Sequence, residues 1–405
     1  MEVRPGYKLT EGGVIPEDWD AVPITSVARL ESGHTPSKRR PNYWNGAVQW
    51  VSLHDTDALD ALEIYFTSKT ITEDGLKNSS ARLLPAGTVV FSRTATVGKC
   101  CVMAKEMATS QDFACYICGS RLDNFFLVYL FRGMGRVWHS LMAGSIHNTI
   151  YMPVFKALKI ALPPFEEQHA IATALSDIDA LLDGLSRLIA KKRNIKQAAM
   201  QQLLTGQVRL PGFGGEWEVK TVAQLGTVIT GGTPSTNRSE FWNGSIPWVT
   251  PTDISESRDI FNSEREITDE GLRSIRALPE NSVLVTCIAS IGKNAILRVP
   301  GGCNQQINAI VPAKEVLPEF LYYLFEHNKS VLLTNAGATA TSILSKAAFS
   351  RLTFSIPFFN EQTAIATVLS DMDAEITALE TRLTKTHALK QAMMQELLTG
   401  KTRLI

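Results

Sequence analysis

Two stretches of the chain combine cations, hydroxyls and aromatic rings at matched spacing: Thr35, Ser37, Lys38, Arg39, Arg40, Tyr43 and Trp44, then Thr233, Ser235, Asn237, Arg238 and Trp242. Such side chains can clamp phosphates through charge and probe base edges through Arg, Asn or Ser. A second polar group follows each: Arg93, Thr94, Thr96 and Lys99 in one case, Thr286, Ser290 and Lys293, with Gln305 beyond, in the other. A third comprises Ser145, His147, Asn148 and Thr149, against Thr339, Thr341 and Ser342. A short basic loop alone is most often a solvated surface, so these residues acquire meaning only from the elements that hold them.

The motifs that would announce catalysis are incomplete. Leu162-Pro163-Pro164-Phe165 has the look of a base-gripping Pro-Pro-aromatic loop, but lacks Asp or Asn before the prolines. Its counterpart reads Ile356-Pro357-Phe358-Phe359, which suits a strand-to-helix hinge. Gly98-Lys99 and Gly292-Lys293 lack both the earlier glycine and the following Ser or Thr of a phosphate-binding loop. His34, His54, His139, His147, His169, His327 and His387 show no metal-ligand spacing. The six cysteines include one Cys-x-x-Cys, Cys115 and Cys118, with no second pair to complete a zinc site, so buried reduced thiols are expected. The chain is expected to hold no cofactor or metal and to catalyse nothing by itself.

The elements behind these clusters are set by a repeat. Gly33, Thr35, Pro36, Ser37, Trp44, Asn45, Gly46, Trp50, Val51 and Asp55 recur at identical spacing as Gly231, Thr233, Pro234, Ser235, Trp242, Asn243, Gly244, Trp248, Val249 and Asp253. Ile71-Thr72 with Gly75 matches Ile267-Thr268 with Gly271, and Gln111 matches Gln305. EEQHAIATALSDID at 166–179 answers NEQTAIATVLSDMD at 360–373, and Leu203-Leu204-Thr205-Gly206 answers Leu397-Leu398-Thr399-Gly400. The repeated tryptophans read as core more readily than as stacking platforms. The positions that differ, such as the first two of Lys38-Arg39-Arg40 against Thr236-Asn237-Arg238, are those a reading surface would vary.

Each copy opens with short apolar runs punctuated by Gly, Pro and Asn, which read as strands, and one clear helix near Phe125–Phe131 or Phe320–Phe325. Each head is therefore expected to be α+β. The rest of each copy changes character. Ile171, Leu175, Ile178, Leu182, Leu185 and Ile189 alternate steps of four and three, as do Ile365, Leu369, Met372, Ile376, Leu379 and Leu383. This heptad seam predicts two long helices, entered after Pro163-Pro164 and capped at Gly206 and Gly400. Each stripe finds its natural partner in the other, as an antiparallel coiled coil about 60 Å long at 1.5 Å per residue, with the heads at opposite ends; the alternative is two amphipathic helices each packed on its own head. Lys192, Lys196 and Gly184 interrupt the seam and predict a bend or register change. The expected divisions are 1–160 and 207–355 for the heads, with 161–206 and 356–405 for the long helices and C-terminal tail.

Taken together, these features resemble the specificity subunit of type I restriction-modification systems. The resemblance covers essentially all 405 residues and rests on the Gly-x-Thr-Pro-Ser and Trp-Asn-Gly-x-x-x-Trp segments, the Pro-x-x-x-Glu-Gln-x-x-Ile-Ala helix entries and the Leu-Leu-Thr-Gly exits. It implies two target-recognition domains that each read half of a bipartite asymmetric DNA site, with the helices setting the unread spacer. It also implies two modification subunits bringing S-adenosylmethionine-dependent adenine methylation, and restriction subunits using ATP and magnesium. Both heads carry the same signature, where heads of this family often differ, so the half-sites are expected to be related but not identical. Two other readings stand beside this one: an adaptor that binds proteins through its heads without touching DNA, and a complete DNA-modifying enzyme, for which no residues are left over.

Composition agrees with a globular protein: 44% of residues are hydrophobic and 20% charged. Forty basic residues balance forty acidic ones, so net charge alone gives no nucleic-acid footprint, and partners would have to share the phosphate contacts. No apolar run reaches membrane-spanning length and no signal-peptide core is present, which reads as a cytoplasmic chain.

Overall fold

The computed structural model describes residues 4–142, 148–255, 257–337 and 342–404. They form two compact units, Met1–Ser186 with Arg382–Ile405, and Arg187–Thr381. Each unit holds one head together with a portion of both long helices.

The head of the first unit is built on a five-stranded sheet in the order Ala28–Ser32, Phe113–Cys118, Val89–Ser92, Cys100–Met103, Glu63–Ile64. All neighbours are antiparallel except the last pair. The apolar runs are continuous, not alternating, because both faces are covered. Val89, Phe91, Cys100, Val102, Ala114 and Tyr116 face one core, while Val90, Cys101, Met103, Phe113 and Cys115 face another. The second unit repeats the order with Gly226–Thr230, Ile307–Pro312, Ser282–Thr286, Asn294–Leu297 and Asp259–Ile260. Val283, Val285 and Ile310 lie on one face and Leu284, Ala295 and Leu297 on the other. The helices Asn124–Gly133 and Pro318–His327 pack on these sheets where the apolar periodicity predicts them. The short helices Gly135–Met142, Met152–Ala157, Lys329–Thr334 and Lys346–Arg351 are additional. Each makes at most about two turns, too few for a periodic signal, and buries one main anchor: Trp138, Phe155, Leu332 or Phe349.

The repeated Trp-Asn-Gly is a β-bulge. Asn45 and Asn243 adopt φ 62° and 60°, and the strands Trp44–Val51 and Trp242–Val249 shift register just after them. Asparagine tolerates this left-handed backbone better than most residues. The glycine follows because a Cβ on Gly46 would lie 2.5 Å from the Thr72 Cα.

The long helices run Phe165–Leu203 and Phe359–Leu397, each of 39 residues, and are followed by left-handed glycines, Gly206 at φ 70° and Gly400 at φ 69°. Their Glu-Gln entries are anchors. Gln168 donates to the Arg121 and Pro163 carbonyls at 3.0 and 2.9 Å and accepts from the Asp123 amide at 2.9 Å. Gln362 does the same with Glu315, Pro357 and Leu317. Buried Glu167 accepts from Trp19 Nε1 at 2.9 Å and from Arg403, while buried Glu361 takes a two-pronged pair from Arg209 at 2.5 and 2.6 Å.

Inside each unit the two helix portions run antiparallel. In the second, Lys192 pairs with Glu375 and Lys196 with Asp373, so partner numbers fall as the helix advances; in the first, Lys390 pairs with Asp179. Leu182, Leu185, Ile189 and Ile376 are buried, and Ile178, Met372, Leu379 and Leu383 half-buried. The seam differs from a uniform coiled coil at its entries. Ile171 and Leu175 join the first head's core together with Leu397 and Leu398, and Ile365 and Leu369 join the second's with Met200, Leu203 and Leu204. A stripe entering beside a sheet buries more apolar area against that sheet than against one facing helix. The helix also continues without interruption through Gly184, which is exposed and faces open space.

Candidate functional site

The repeated tryptophans are hangers for the Gly-x-Thr-Pro-Ser loop. Trp50 Nε1 donates to the His34 carbonyl at 3.0 Å and Trp44 Nε1 to the Ser37 carbonyl at 3.2 Å, with the rings edge-to-face at 5.1 Å. Trp248 and Trp242 hold Gly232 and Ser235 at 2.8 and 3.1 Å in the same way, again at 5.1 Å. Gly33 and Gly231 lie so tightly on the backbone that a Cβ would run into the Thr109 or Asn304 carbonyl oxygen. The loop's exposed end is thus presented on a rigid mount, and each threonine hydroxyl reaches a glutamine: Thr35 donates to Gln111 Oε1 at 2.7 Å and Thr233 to Gln305 Oε1 at 2.5 Å.

Through these glutamines the three polar clusters meet. The Gln111 carbonyl accepts from Arg93 Nε and Nη2 at 2.9 and 2.6 Å, and Arg93 Nη1 donates to the Ile150 carbonyl at 3.3 Å. In the second unit Cys287 replaces Arg93. Its amide donates to the Gln306 carbonyl at 2.8 Å and its own carbonyl accepts from Leu344 at 2.9 Å. Each head therefore gathers the Gly-x-Thr-Pro-Ser loop, the turn after its central strand and the segment around 148–150 or 342–344 into one surface.

Several sequence candidates spend their polar groups on partners within the protein. Arg93 braces backbone carbonyls. Thr96 Oγ1 sits 3.0 Å from Ser92 Oγ, and the Thr94 carbonyl accepts from Ser92 at 3.1 Å. Buried Thr286 donates to the carbonyl of Ser290, and Tyr43 is buried. Lys99 is ion-paired at 2.8 Å to Asp60 and at 3.3 Å to Asp57; the hydrogen bond to Asp60, more than that to Asp57, holds its amine above the ordinary lysine range. The exposed set is Ser37, Lys38, Arg39, Arg40, Asn148, Thr233, Ser235, Asn237, Arg238, Lys293, Ser342 and the glutamines Gln111 and Gln305. Arg40 lies 5.7 Å from the Tyr43 ring, and Arg238 lies 4.9 Å from the Phe241 ring and pairs with Glu240 at 3.1 Å. Ser145, His147, Thr339 and Thr341 fall outside the described residues.

Sequence reasoning missed Arg265, whose guanidinium stacks 3.9 Å over the Trp242 ring. Only its position two residues before the repeated Ile267 could have drawn notice. The thiols are poor nucleophiles: burial pushes Cys100 and Cys287 up to about 11 and Cys115 and Cys303 up to about 12. Among the described residues no group of three or more His, Cys, Asp or Glu is placed to hold a metal, and no helix is long and apolar enough to cross a membrane.

Comparison with known proteins places this arrangement. The MjaIX type I restriction enzyme specificity subunit of Methanocaldococcus jannaschii is 37% identical over 262 residues, 60% of this chain and 60% of that protein. The EcoR124I/EcoR124II specificity subunit of Escherichia coli is 30% identical over 263 residues, 62% of this chain and 65% of that one. The alignments therefore span less than two thirds of either relative. The crystal structure of the HsdS subunit from Thermoanaerobacter tengcongensis shares the fold, with TM-score 0.54 at 17% identity over 96% of this chain and 98% of that one. A family model described as the type I restriction modification DNA specificity domain matches twice, over 16–195 and 214–387, and the chain belongs to that family.

Proposed function

We propose that this chain is the sequence-reading component of a type I restriction-modification complex: each head contacts one half of a bipartite asymmetric DNA site, and the chain performs no chemistry itself. The observation that carries this reading is the duplicated mount. Two heads hold a loop of hydroxyl, amide and cationic side chains on a tryptophan pair, with the scaffold kept and two exposed loop positions varied, Lys38-Arg39 becoming Thr236-Asn237. Rigid scaffold with variable contacts is what discrimination between base sequences requires. The contact set proposed is Thr35, Ser37, Lys38, Arg39, Arg40 and Asn148 in one head and Thr233, Ser235, Asn237, Arg238, Lys293 and Gln305 in the other. The heads are taken as 1–160 and 207–355.

The 39-residue helices act, in this reading, as the ruler that fixes the number of unread base pairs. Two modification subunits supply S-adenosylmethionine-dependent methylation, and restriction subunits supply ATP- and magnesium-dependent cleavage. Because positive and negative charges balance, the isolated chain binds DNA weakly and with strong salt sensitivity, and its partners share the phosphate clamp. Methylome sequencing of cells expressing the chain with its modification subunit tests the whole: a two-part motif is expected. Removal of seven residues from each helix is expected to change the spacer and leave both half-sites alone. Absence of any motif, with the chain still bound to protein partners, would favour the adaptor.

A further inference from the structure

Arg265 is exposed and its guanidinium makes no hydrogen bond or ion pair among the described residues, yet it is not free to wander. Its carbonyl accepts from the Trp248 amide at 3.2 Å, and its guanidinium carbon lies 3.9 Å from the Trp242 ring centroid and 5.1 Å from that of Trp248. These same indoles hold the Gly232 and Ser235 carbonyls, so Arg265 shares one platform with the loop that carries Thr233 and, through it, Gln305. Stacking on a ring face fixes the plane of a guanidinium while leaving its edge N–H donors pointing outward. Such a fork matches a pair of acceptors in one plane, and the paired acceptors that carry sequence information are O6 and N7 of guanine.

We infer that Arg265 reads a guanine in the half-site of the second head, an inference that rests on the DNA-reading function proposed above. The first head lacks the device. There the tryptophan pair is the same, and the carbonyl that accepts from the Trp50 amide at 3.2 Å belongs to Lys69. A lysine ammonium is a compact point charge without a planar fork, so it offers a guanine edge no stacked, in-plane pair of donors and is the less selective reader. The difference supplies a reason for two heads with one signature to recognise different half-sites. It also assigns a reading role to a residue outside the basic loop.

The test is the methylome of the full complex carrying wild-type chain, Arg265→Lys or Arg265→Ala, with melting curves of each chain. Wild type is expected to give a two-part motif. Both variants are expected to relax one guanine position of one half-site by on the order of tenfold or more, with the other half-site and the spacer intact. Arg265→Lys is expected to melt like wild type. An unchanged motif in Arg265→Ala overturns the inference. So does a uniform drop in methylation at every site with the motif unchanged, which identifies a phosphate contact. If Arg265→Ala unfolds while Arg265→Lys keeps the complete motif, the stack is structural and the inference fails. Wild type giving no two-part motif defeats the DNA-reading proposal itself, an outcome distinct from the other three.

Discussion

Lys390 Nζ lies 2.5 Å from the Asp179 carboxylate, and the same carboxylate accepts from the Tyr129 hydroxyl at 2.8 Å. The second unit repeats this with Lys196, Asp373 and Tyr323, at 2.5 and 2.7 Å. A lysine that looks like a fault in an apolar seam is therefore a register pin joining both helix portions to the head. It also accounts for two repeated motifs at once, Ser-Asp-x-Asp and Lys-Gln-Ala.

Lys390→Met is expected to destabilise the first unit by about 1–3 kcal/mol, because half-buried Asp179 keeps only the tyrosine hydroxyl. A double-mutant cycle with Asp179→Asn by urea unfolding measures the coupling. Additive costs would reduce the pair to an ordinary surface ion pair.

Arg403 closes the first unit by pairing with buried Glu167 at 2.6 Å and with Asp18 at 2.6 and 2.8 Å. Arg403→Met leaves Glu167 with the Trp19 indole alone and is expected to cost about 2–4 kcal/mol. Hydrogen bonding from Arg403 also lowers the Asp18 pKa. A lowered carboxylate contributes stability that is complete above its unfolded value, about 3.9, and is lost as pH falls through the folded one. The variant is accordingly expected to show a shallower decline in stability below pH 4, read from unfolding midpoints across pH 2–6. An unchanged acid limb would remove Asp18 from the clasp.

Gly33→Ala places a methyl group against the Thr109 carbonyl, and Thr109 is held by its parallel pairing with Val51. A cost of about 2 kcal/mol or more is expected. The loop should leave its tryptophan mount, seen as a change in tryptophan fluorescence and loss of one half-site from the methylated motif. Full retention of that half-site would mean the mount is dispensable.

Gly184→Ala runs in the opposite direction. The position is helical, exposed and open, so alanine is expected to add about 1 kcal/mol of stability. Thermal melting checks this, and a loss of stability would reveal a helix geometry that only glycine accepts.

With thiol pKa values near 11 for Cys100 and Cys287 and near 12 for Cys115 and Cys303, only about a thousandth or less of each is thiolate at pH 8. These cysteines are expected to resist a disulfide-exchange reagent until denaturant is added. Rapid labelling of any of these four in the native chain would contradict their burial.

Much of this protein is written in local spacing. Equal intervals from Gly33 to Asp55 and from Gly231 to Asp253 declare the duplication, and steps of four and three from Ile171 to Ile189 declare a helix. Asn45-Gly46 recurs as Asn243-Gly244, a repetition the structure explains as a bulge whose backbone only a few residue types tolerate. These signals are legible because each depends on the chemistry of neighbours in the chain. Which distant groups meet is another matter. Arg403 and Glu167 are 236 residues apart, and Arg93, conspicuous as a cation, spends its donors on the carbonyls of Gln111 and Ile150. Arg265 drew no notice in the sequence and stacks on Trp242. Residue type states what a side chain can offer, but the folded backbone decides whether a donor is spent inside the protein or left facing out, because hydrogen bonding and stacking depend on distance and angle that no linear spacing encodes.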